Sequence, residues 1–184
     1  MSKIVIFKAS PRKNGYTAKL LEQVANGAES KGATVVEFDL NSPEIRACQG
    51  CFYCRTHDGC AIKDYLQPMY ETIEEADAIV FGSPIYYYTI TGQAKVWFDR
   101  TFPMFGNDYK PKYPGKKLIT IFTQGNPDPK IGAEGVKYAN DMLEELGWVL
   151  KDSIHYCGIS HGPDLALFDE LLLRAFKDGE NLVE

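Results

Sequence analysis

The sequence lacks the features of several classes of protein. No apolar run approaches the roughly 18 residues that a membrane-spanning helix needs. The first residues, MSKIVIFKAS, hold one early lysine and a short apolar run, without the longer apolar region and cleavage site of a signal peptide. Acidic residues outnumber basic ones by 25 to 20 with no long run of one sign, and the net charge of −5 argues against a nucleic-acid binder. We therefore expect a cytoplasmic protein that binds neither nucleic acid nor membrane.

Cysteine is also scarce, except in one short block. Four of the five cysteines lie in ACQGCFYCRTHDGCAIKD at 47–64, with the spacing C-x2-C-x2-C-x5-C: Cys48, Cys51, Cys54 and Cys60. Cytosolic thiols stay reduced, so such a block is more often metal-binding or redox-active than a disulfide staple. The three histidines do not form a metal spacing, and Cys157 is expected to be a buried apolar thiol in a strand.

What the sequence does contain is a regular alternation of strand and helix signals. Strands are predicted at 3–9, 33–40, 77–84, 116–123 and 148–159, and helices at 17–32, 65–76, 91–102, 132–147 and 164–179. Runs such as AIVFG and LITIF are apolar throughout, as in strands buried on both faces. Strands that each precede a helix predict an α/β fold, a parallel sheet with helices on both faces. The length of 184 residues, without repeat or linker, suits one domain spanning 1–184.

The first candidate ligand site is the loop after the first strand. In an open α/β sheet a ligand lies beyond the carboxyl ends of the strands. The loop SPRKNGYT at 10–17 leads into a helix, whose free N–H groups and dipole favour an anion. Its side chains suit a phosphate monoester: the hydroxyls of Ser10 and Thr17, the amide of Asn14, and the cations Arg12 and Lys13. The loop is neither a Walker loop nor a dinucleotide fingerprint. The alternative is an ordinary helix start capped by Thr17 or Asn14.

Two further loops end at the same predicted edge of the sheet. The segment GSPIYYYTITGQ at 82–93 puts Tyr86, Tyr87 and Tyr88 at the exit of a buried strand, where a ring could stack on a flat aromatic ligand. These tyrosines could equally pack in the core or at a subunit interface. The segment TQGNPDP at 123–129 is rich in turn residues and could close over the same ligand. A phosphate site and an aromatic slot together suit a flat, phosphorylated cofactor.

At these three loops the chain resembles the NAD(P)H-dependent FMN reductase family of the flavodoxin-like superfamily, and within it the iron–sulfur flavoprotein branch. The marks are SPRKNGYT, GSPIYYYTITGQAKVWFDR and TQGNPDP, and the resemblance covers nearly the whole chain. It implies a flavodoxin-like three-layer sandwich with a five-stranded parallel sheet in the order 2-1-3-4-5, and bound FMN. Two positions depart from the family pattern: Lys8 stands where a small residue is usual, and Tyr16 where a smaller polar residue is common.

The resemblance also implies which residues bind the cofactor. The FMN phosphate would lie among Ser10, Arg12, Asn14, Tyr16 and Thr17. The isoalloxazine would lie along Pro84, Ile85, Tyr86 and Tyr87, and its pyrimidine side along Thr123, Gln124 and Gly125. No catalytic side chain is expected, because the cofactor carries the redox chemistry.

The cysteine block resembles the compact motif with which iron–sulfur flavoproteins hold a [4Fe–4S] cluster. By that resemblance the ligands are Cys48, Cys51, Cys54 and Cys60, and four thiolates are the usual ligand set of such a cluster. Beside the flavin edge, a cluster would pass single electrons to FMN. Zinc also takes four thiolates, and Cys51 and Cys54 have the spacing of a redox pair. By resemblance again, many flavodoxin-like reductases carry similar cysteines without a cluster, so thiols that merely pack are a further alternative.

The function that follows is an FMN-dependent oxidoreductase that takes electrons from NAD(P)H. It would pass them to a small flat acceptor, such as a quinone, flavin, azo or nitro compound, or to a redox protein. The alternative is an iron–sulfur flavoprotein electron carrier that exchanges electrons with ferredoxin-like partners. The aromatic residues and the long loop at 103–115 favour a homodimer or homotetramer, in which two subunits share the flavin site.

Overall fold

The computed structural model describes residues 1–183, which contain six β-strands and five α-helices. The strands are β1 Lys3–Lys8, β2 Thr34–Asp39, β3 Ala78–Tyr86, β4 Thr89–Ile90, β5 Lys117–Thr123 and β6 Val149–Tyr156. The helices are α1 Tyr16–Ser30, α2 Met69–Glu75, α3 Gly92–Arg100, α4 Lys130–Glu145 and α5 Leu165–Val183. Two short 3₁₀ helices lie at Tyr53–Arg55 and Phe102–Met104. No helix in this part of the chain combines the length and the apolar character needed to cross a membrane.

The five long strands form a parallel sheet in the order β2-β1-β3-β5-β6. This confirms the predicted flavodoxin-like order, because the fourth and fifth predicted strands are β5 and β6. The sixth strand, β4, is absent from the predicted set. It pairs antiparallel with the end of β3, Ile85 with Ile90 and Tyr86 with Thr89. Two residues are too few for a recognisable alternation of apolar and polar side chains.

Both faces of the sheet are buried, as the apolar strand sequences predict. In β1 the side chains of Val5 and Phe7 enter one core, and those of Ile4 and Ile6 enter the other. Helices α2, α3 and α4 cover the first face, and α1 and α5 cover the second. The buried Trp97 ring of α3 lies with its centroid 4.5 Å from that of Phe7. This contact holds α3 against the middle of the sheet.

Helix α2 begins at Met69 rather than at residue 65, where the sequence predicts its start. Pro68 disfavours helical geometry in the residue before it. The preceding turn is held by the Asp64 carboxylate, which accepts the Leu66 N–H at 3.1 Å. Asp64 also forms an ion pair with Arg100 of α3.

Candidate functional site

The carboxyl ends of β1, β3 and β5 open into one cleft of about 870 Å³. The order of the sheet reverses between β1 and β3, which is where a ligand is expected in this class of fold. Eleven of the twelve residues predicted to bind the cofactor line the cleft: Ser10, Arg12, Asn14, Tyr16, Thr17, Pro84, Ile85, Tyr86, Tyr87, Thr123 and Gly125. Gln124 is the twelfth, and it does not line the cleft.

One end of the cleft is the loop between β1 and α1. Gly15 is the N-cap of α1, with φ −77° and ψ 171°, and no side chain among the described residues caps the helix. The alternative in which Thr17 or Asn14 is the cap is therefore wrong. The Ser10 hydroxyl tightens the loop by accepting the Arg12 N–H at 3.2 Å. Because no side chain caps it, the start of α1 leaves backbone N–H groups open to an anion in the cleft.

A hydrogen bond between two buried hydroxyl groups connects the elements that form the cleft. The hydroxyl oxygens of Thr17 and Thr123 are 2.8 Å apart. The two residues are only 2% and 1% exposed. Thr17 therefore meets a ligand chiefly through its backbone, and the bond ties the start of α1 to the end of β5.

The tyrosine segment forms a tight hairpin at the mouth of the cleft. Tyr87 and Tyr88 join β3 to β4 with φ values of 47° and 68°, in the left-handed region. A two-residue hairpin needs this conformation, but Asn-Gly is the usual pair because a β-carbon crowds the left-handed backbone. Tyr86, Tyr87 and Tyr88 are 43%, 93% and 65% exposed, so none of them packs in the core. The ring of Tyr87 is available to a flat ligand in the cleft.

Neighbouring groups support this hairpin from below and from the side. The Ser83 hydroxyl accepts the Thr91 N–H at 3.2 Å, and the Thr91 hydroxyl donates to the Ala9 carbonyl at 2.9 Å. Gly135 lets α4 approach closely, because a β-carbon there would lie 2.3 Å from the Tyr88 carbonyl oxygen. Such packing is what maintains a backbone in a sparsely populated conformation.

Gln124 supports the cleft from outside it. Its amide donates to the carbonyls of Asn126 at 2.9 Å and Asp128 at 2.7 Å. Its side-chain oxygen lies 3.1 Å from Nε2 of His155. Burial lowers the pKa of His155, so the ring is neutral at pH 7 and can donate its Nε2–H to that oxygen. Gln124 thus braces the loop that follows β5.

Four lining residues are absent from the predicted set: Gly15, Lys19, Ile159 and Ser160. The last two follow β6, which ends at the same edge because it neighbours β5. The Ser160 N–H donates to the Gly125 carbonyl at 3.4 Å, so the two loops meet. The sequence predicts a strand to residue 159, but β6 ends at Tyr156. Because the predicted strand is too long, the sequence does not identify the loop that holds Ile159 and Ser160 as part of the site.

The two departures from the family pattern have partners within the chain. Lys8 does not line the cleft, and its ammonium lies 2.7 Å from the Glu37 carboxylate of β2. Tyr16 does line the cleft, and its ring packs edge-on against Phe168 at a centroid distance of 4.8 Å. Lys8 is therefore balanced by a local charge, and Tyr16 connects the cleft to the core beneath α5.

The four clustered cysteines line a second pocket, of about 210 Å³, with mostly apolar walls such as Phe52, Phe102 and Pro103. All four thiols are free. Two of them accept backbone N–H groups at 3.5 Å, Cys48 from Gly50 and Cys60 from Ile62. Within residues 1–183, no three Cys, His, Asp or Glu side chains are grouped so as to hold a single metal ion. The four thiols line one pocket, but they do not surround a single point as the four ligands of a zinc ion do.

Within one chain, the pocket of the cysteine block is separate from the cleft. The cysteine pocket and the cleft share no lining residue. The pocket lies against Arg100 and Phe102 at the end of α3, whereas the start of α3 follows the hairpin. The nine residues of α3 span roughly 13 Å.

A buried ion pair explains why the cysteine loop reaches this end of α3. Arg100 and Asp64 lie 2.6 Å apart, and their side chains are 0% and 3% exposed. Arg100 also donates to the carbonyls of Arg46 at 2.7 Å and Ile62 at 3.4 Å, on either side of the cysteines. Burial by itself would raise the pKa of Asp64, but hydrogen bonds from Arg100 and from the Arg46 N–H hold it below its usual value.

A second arginine fastens the cysteine loop to the long loop at 103–115. Arg55 donates to the carbonyls of Phe102 at 3.0 Å, Phe105 at 2.8 Å and Gly106 at 2.9 Å. Its guanidinium lies 4.3 Å from the centroid of the Phe102 ring. The long loop is therefore packed against the cysteine loop at this point.

Comparison with known proteins places the chain in a family. The model of the NADPH-dependent FMN reductase family matches residues 2–149. The chain belongs to this family. An iron–sulfur flavoprotein from Archaeoglobus fulgidus is 32% identical over 184 residues, covering 99% of this chain and 79% of that protein. An FMN-dependent NADH:quinone oxidoreductase from Paraburkholderia phymatum is 28% identical over 90% of this chain and 93% of that one. Among solved structures, an NAD(P)H:quinone oxidoreductase from Methanothermobacter marburgensis gives a TM-score of 0.75 at 21% identity, covering 100% and 98% of the two chains.

Membership of the FMN reductase family makes the chain an oxidoreductase, which confirms the predicted class. The family also supports FMN as a cofactor. The matched residues include the three cleft loops predicted from the sequence and all four clustered cysteines. The likeness to the solved structure confirms the predicted flavodoxin-like fold.

Proposed function

We propose that the cleft binds FMN and that the protein uses it to move electrons from NAD(P)H to a small flat acceptor or a redox protein. The observation that carries this proposal is the convergence of an open helix start, an exposed tyrosine hairpin and the β5 loop on one cleft of about 870 Å³. That volume is in the usual range for small-molecule sites. Bound FMN would supply the redox chemistry, accepting hydride from NAD(P)H and releasing electrons to the acceptor.

The residues present fit a flavin mononucleotide. At one end, the open N–H groups of α1 and the exposed side chains of Arg12 and Asn14 suit a phosphate. At the other end, Pro84, Ile85 and Tyr87 offer the apolar and aromatic surface that suits a flat ring system. The bond between Thr17 and Thr123 ties the phosphate end to the end of β5, the strand that pairs with β3 at Pro84.

The chain contributes binding and orientation rather than acid–base chemistry. Within residues 1–183, no Asp, Glu or His lines the cleft. The cleft opens to solvent at the exposed hairpin, so water can exchange protons with a bound ligand. That no catalytic side chain is needed stays a prediction.

The acceptor and the assembly are finer parts of the proposal. Two relatives are named quinone oxidoreductases, which supports a quinone or a similar flat molecule as acceptor. The exposed ring of Tyr87 would lie against such a molecule. We also propose the homodimer or homotetramer that the sequence favours, since the tyrosine hairpin is exposed at the mouth of the cleft.

We further propose that Cys48, Cys51, Cys54 and Cys60 hold a [4Fe–4S] cluster. The residues fit this group because all four thiols line one apolar pocket, and two of them accept backbone N–H bonds. Hydrogen bonds to sulfur are among the features that set the potential of such a cluster. The four ligands of a cluster bind separate irons, so their thiols need not surround one point as the ligands of zinc must. The name of the relative from Archaeoglobus fulgidus supports the same group.

A second candidate function is an electron carrier that exchanges electrons with a ferredoxin-like protein. The position of the cysteine pocket favours it, since the pocket is apart from the cleft and Cys48 and Cys51 are exposed. A carrier would hold FMN without oxidising NAD(P)H on its own. A reductase would oxidise it when a quinone is present.

One experiment tests both functions and the two bound groups. The protein is purified without oxygen, and its absorption spectrum, iron and acid-labile sulfide are measured on one sample, followed by NADH and NADPH oxidation with and without a quinone. Flavin peaks with NAD(P)H oxidation support the reductase, and flavin peaks without it support the carrier. About four irons per chain support the cluster. Protein that is colourless and cannot be reconstituted with FMN contradicts the FMN site.

A further inference from the structure

The guanidinium of Arg100 has one N–H donor more than its protein partners can use. Nη1 donates to the Arg46 carbonyl at 2.7 Å and to Asp64 at 2.6 Å. Nη2 donates to Asp64 at 2.9 Å and to the Ile62 carbonyl at 3.4 Å. These contacts account for four of the five N–H donors of an arginine. The fifth, Nε–H, is buried and has no acceptor within residues 1–183.

The unpaired Nε–H of Arg100 is buried, so a hydrogen-bond acceptor is expected beside it. Arg100 is 1% exposed, and buried donors without a partner are rare in native proteins. Arg100 lines the pocket of the four cysteines, whose walls are otherwise mostly apolar. The sulfur atoms of the four cysteines are therefore among the acceptors that this pocket can offer to Nε–H, beside the polar side chains of Gln49 and Asp99.

We propose that Arg100 is a positioning residue of the cysteine pocket, whose Nε–H donates to a sulfur of the bound cluster and whose charge raises the reduction potential of that cluster. The inference rests on the proposed cluster. One added electron makes the cluster more negative, so a nearby cation and an N–H donor favour the reduced form. Asp64 partly cancels the charge of Arg100 and therefore holds the potential down.

The chain offers a matched control in Arg55. Its Nε is also buried and has no acceptor in the described part of the chain, and its other donors also fasten the cysteine loop. Arg55 does not line the cysteine pocket, however. If an arginine influenced the cluster only by holding the loop, replacement of Arg55 would have the same effect as replacement of Arg100.

The test compares the reduction potential of the cluster in four forms of the full-length protein, each reconstituted with iron and sulfide without oxygen. The forms are the wild type, Asp64→Asn, the double variant Asp64→Asn with Arg100→Gln, and Arg55→Gln. The double variant is used because removal of Arg100 alone would leave Asp64 as an unpaired buried charge. Iron content and circular dichroism establish that each form is folded and loaded.

We expect Asp64→Asn to favour the reduced cluster at least tenfold over the wild type, which is 59 mV upward for a one-electron couple. We expect the double variant to lie at least tenfold below Asp64→Asn, and Arg55→Gln to match the wild type. If the double variant does not fold, the reduction potential of Asp64→Asn alone tests the inference: an upward shift supports it, and a potential equal to that of the wild type contradicts it.

The results that would contradict the inference can be distinguished from one another. Equal potentials at equal iron content would show that Arg100 only holds the loop, and would overturn the inference while leaving the cluster proposal intact. A shift in Arg55→Gln as large as that of the double variant would also overturn it. A wild type that takes up no iron would overturn both the cluster and this inference, whereas FMN binding is judged separately from the flavin spectrum.

Discussion

Arg12 and Lys13 are neighbouring exposed cations at the start of α1, but only Arg12 lines the cleft. The two residues are adjacent in the same loop, so the sequence alone does not show which of them would bind a phosphate. Beside them, no side chain caps α1 at Gly15. At the scale of single residues, specificity for a phosphorylated flavin should therefore depend on Arg12 together with the backbone.

Replacement of Arg12 by Gln should weaken FMN binding about 10- to 100-fold. A hydrogen bond to a charged group contributes about 1.5–3 kcal/mol, and each 1.4 kcal/mol is about tenfold in affinity. Riboflavin lacks the phosphate, so its affinity should stay unchanged. Both affinities are measured by fluorescence titration, with Lys13→Gln as the control that should bind FMN like the wild type. Equal losses for FMN and riboflavin would show that Arg12 does not contact the phosphate.

Replacement of Gln124 by Met should lower the free energy of unfolding by about 1–3 kcal/mol, because the Asn126 and Asp128 carbonyls lose their donor. FMN affinity should fall less than in Arg12→Gln, since Gln124 does not line the cleft. Urea unfolding measures the first quantity and flavin fluorescence the second. Gln23→Met, at a half-buried position of α1, is the control. A large loss of affinity at full stability would place Gln124 on the ligand.

At the scale of elements, the hairpin between β3 and β4 is positioned by α4. The turn consists of two tyrosines in the left-handed region, where the backbone alone does not favour them. Close approach of α4 at Gly135, together with the Ser83 and Thr91 bonds, compensates for this. The separation of α4 from the sheet should therefore control both stability and the shape of the aromatic side of the cleft.

Replacement of Gly135 by Ala should destabilise the fold by about 1–3 kcal/mol, because the added methyl group would lie 2.3 Å from the Tyr88 carbonyl oxygen. The displaced hairpin should also bind FMN more weakly. Gly92→Ala is the matched control, since nothing lies within 4 Å of a β-carbon there. Urea unfolding and FMN titration are measured on both. If Gly135→Ala proves as stable as the wild type, α4 does not constrain the hairpin.

At the scale of the whole molecule, the packing of α5 on the edge strand β6 makes stability depend on pH. Burial, reinforced by the neighbouring Asp152 carboxylate, raises the pKa of Asp178 to about 7, against the opposing charge of Arg174. Burial would likewise raise the pKa of Asp152, but hydrogen bonds from Arg174 and Asp178 hold it below its usual value. Asp178 therefore keeps its proton in the folded protein well above the pH at which it loses it in the unfolded chain.

The sign of the pH effect follows from proton binding. Between about pH 4 and about pH 7 the folded state binds one proton more than the unfolded state, so stability falls as pH rises through this range. Asp178→Asn should remove this loss and stabilise the protein at pH 8 by roughly 1–2 kcal/mol, after allowance for solvent screening, with no gain near pH 4. Thermal unfolding at both pH values measures it, with the exposed Asp169→Asn as control. A gain that is equal at both pH values would contradict a titrating pair.

Much of the fold and most of the cleft could be predicted because the signals are local. Alternating strand and helix patterns, each a few residues long, define the sheet, and a parallel sheet brings its strand ends to one edge. The loops at 10–17, 82–93 and 123–129 directly follow strands, so their place at that edge follows from chain order. Eleven residues of the cleft were accessible to this reasoning and to the family resemblance.

Only the tertiary structure decided which contacts form between distant parts of the chain. The Arg100–Asp64 pair joins residues 36 positions apart, and it carries the cysteine block to the far end of α3, away from the cleft. The side chain of Gln124 contacts His155 on the neighbouring strand and supports the loop after β5, and sequence alone does not reveal this contact. Local patterns encode the conformation of a segment, whereas the place of a loop depends on the partners that burial and hydrogen bonding select for it. The sequence by itself therefore determined the sheet, the three loops and the presence of four clustered thiols, and packing decided where those thiols lie.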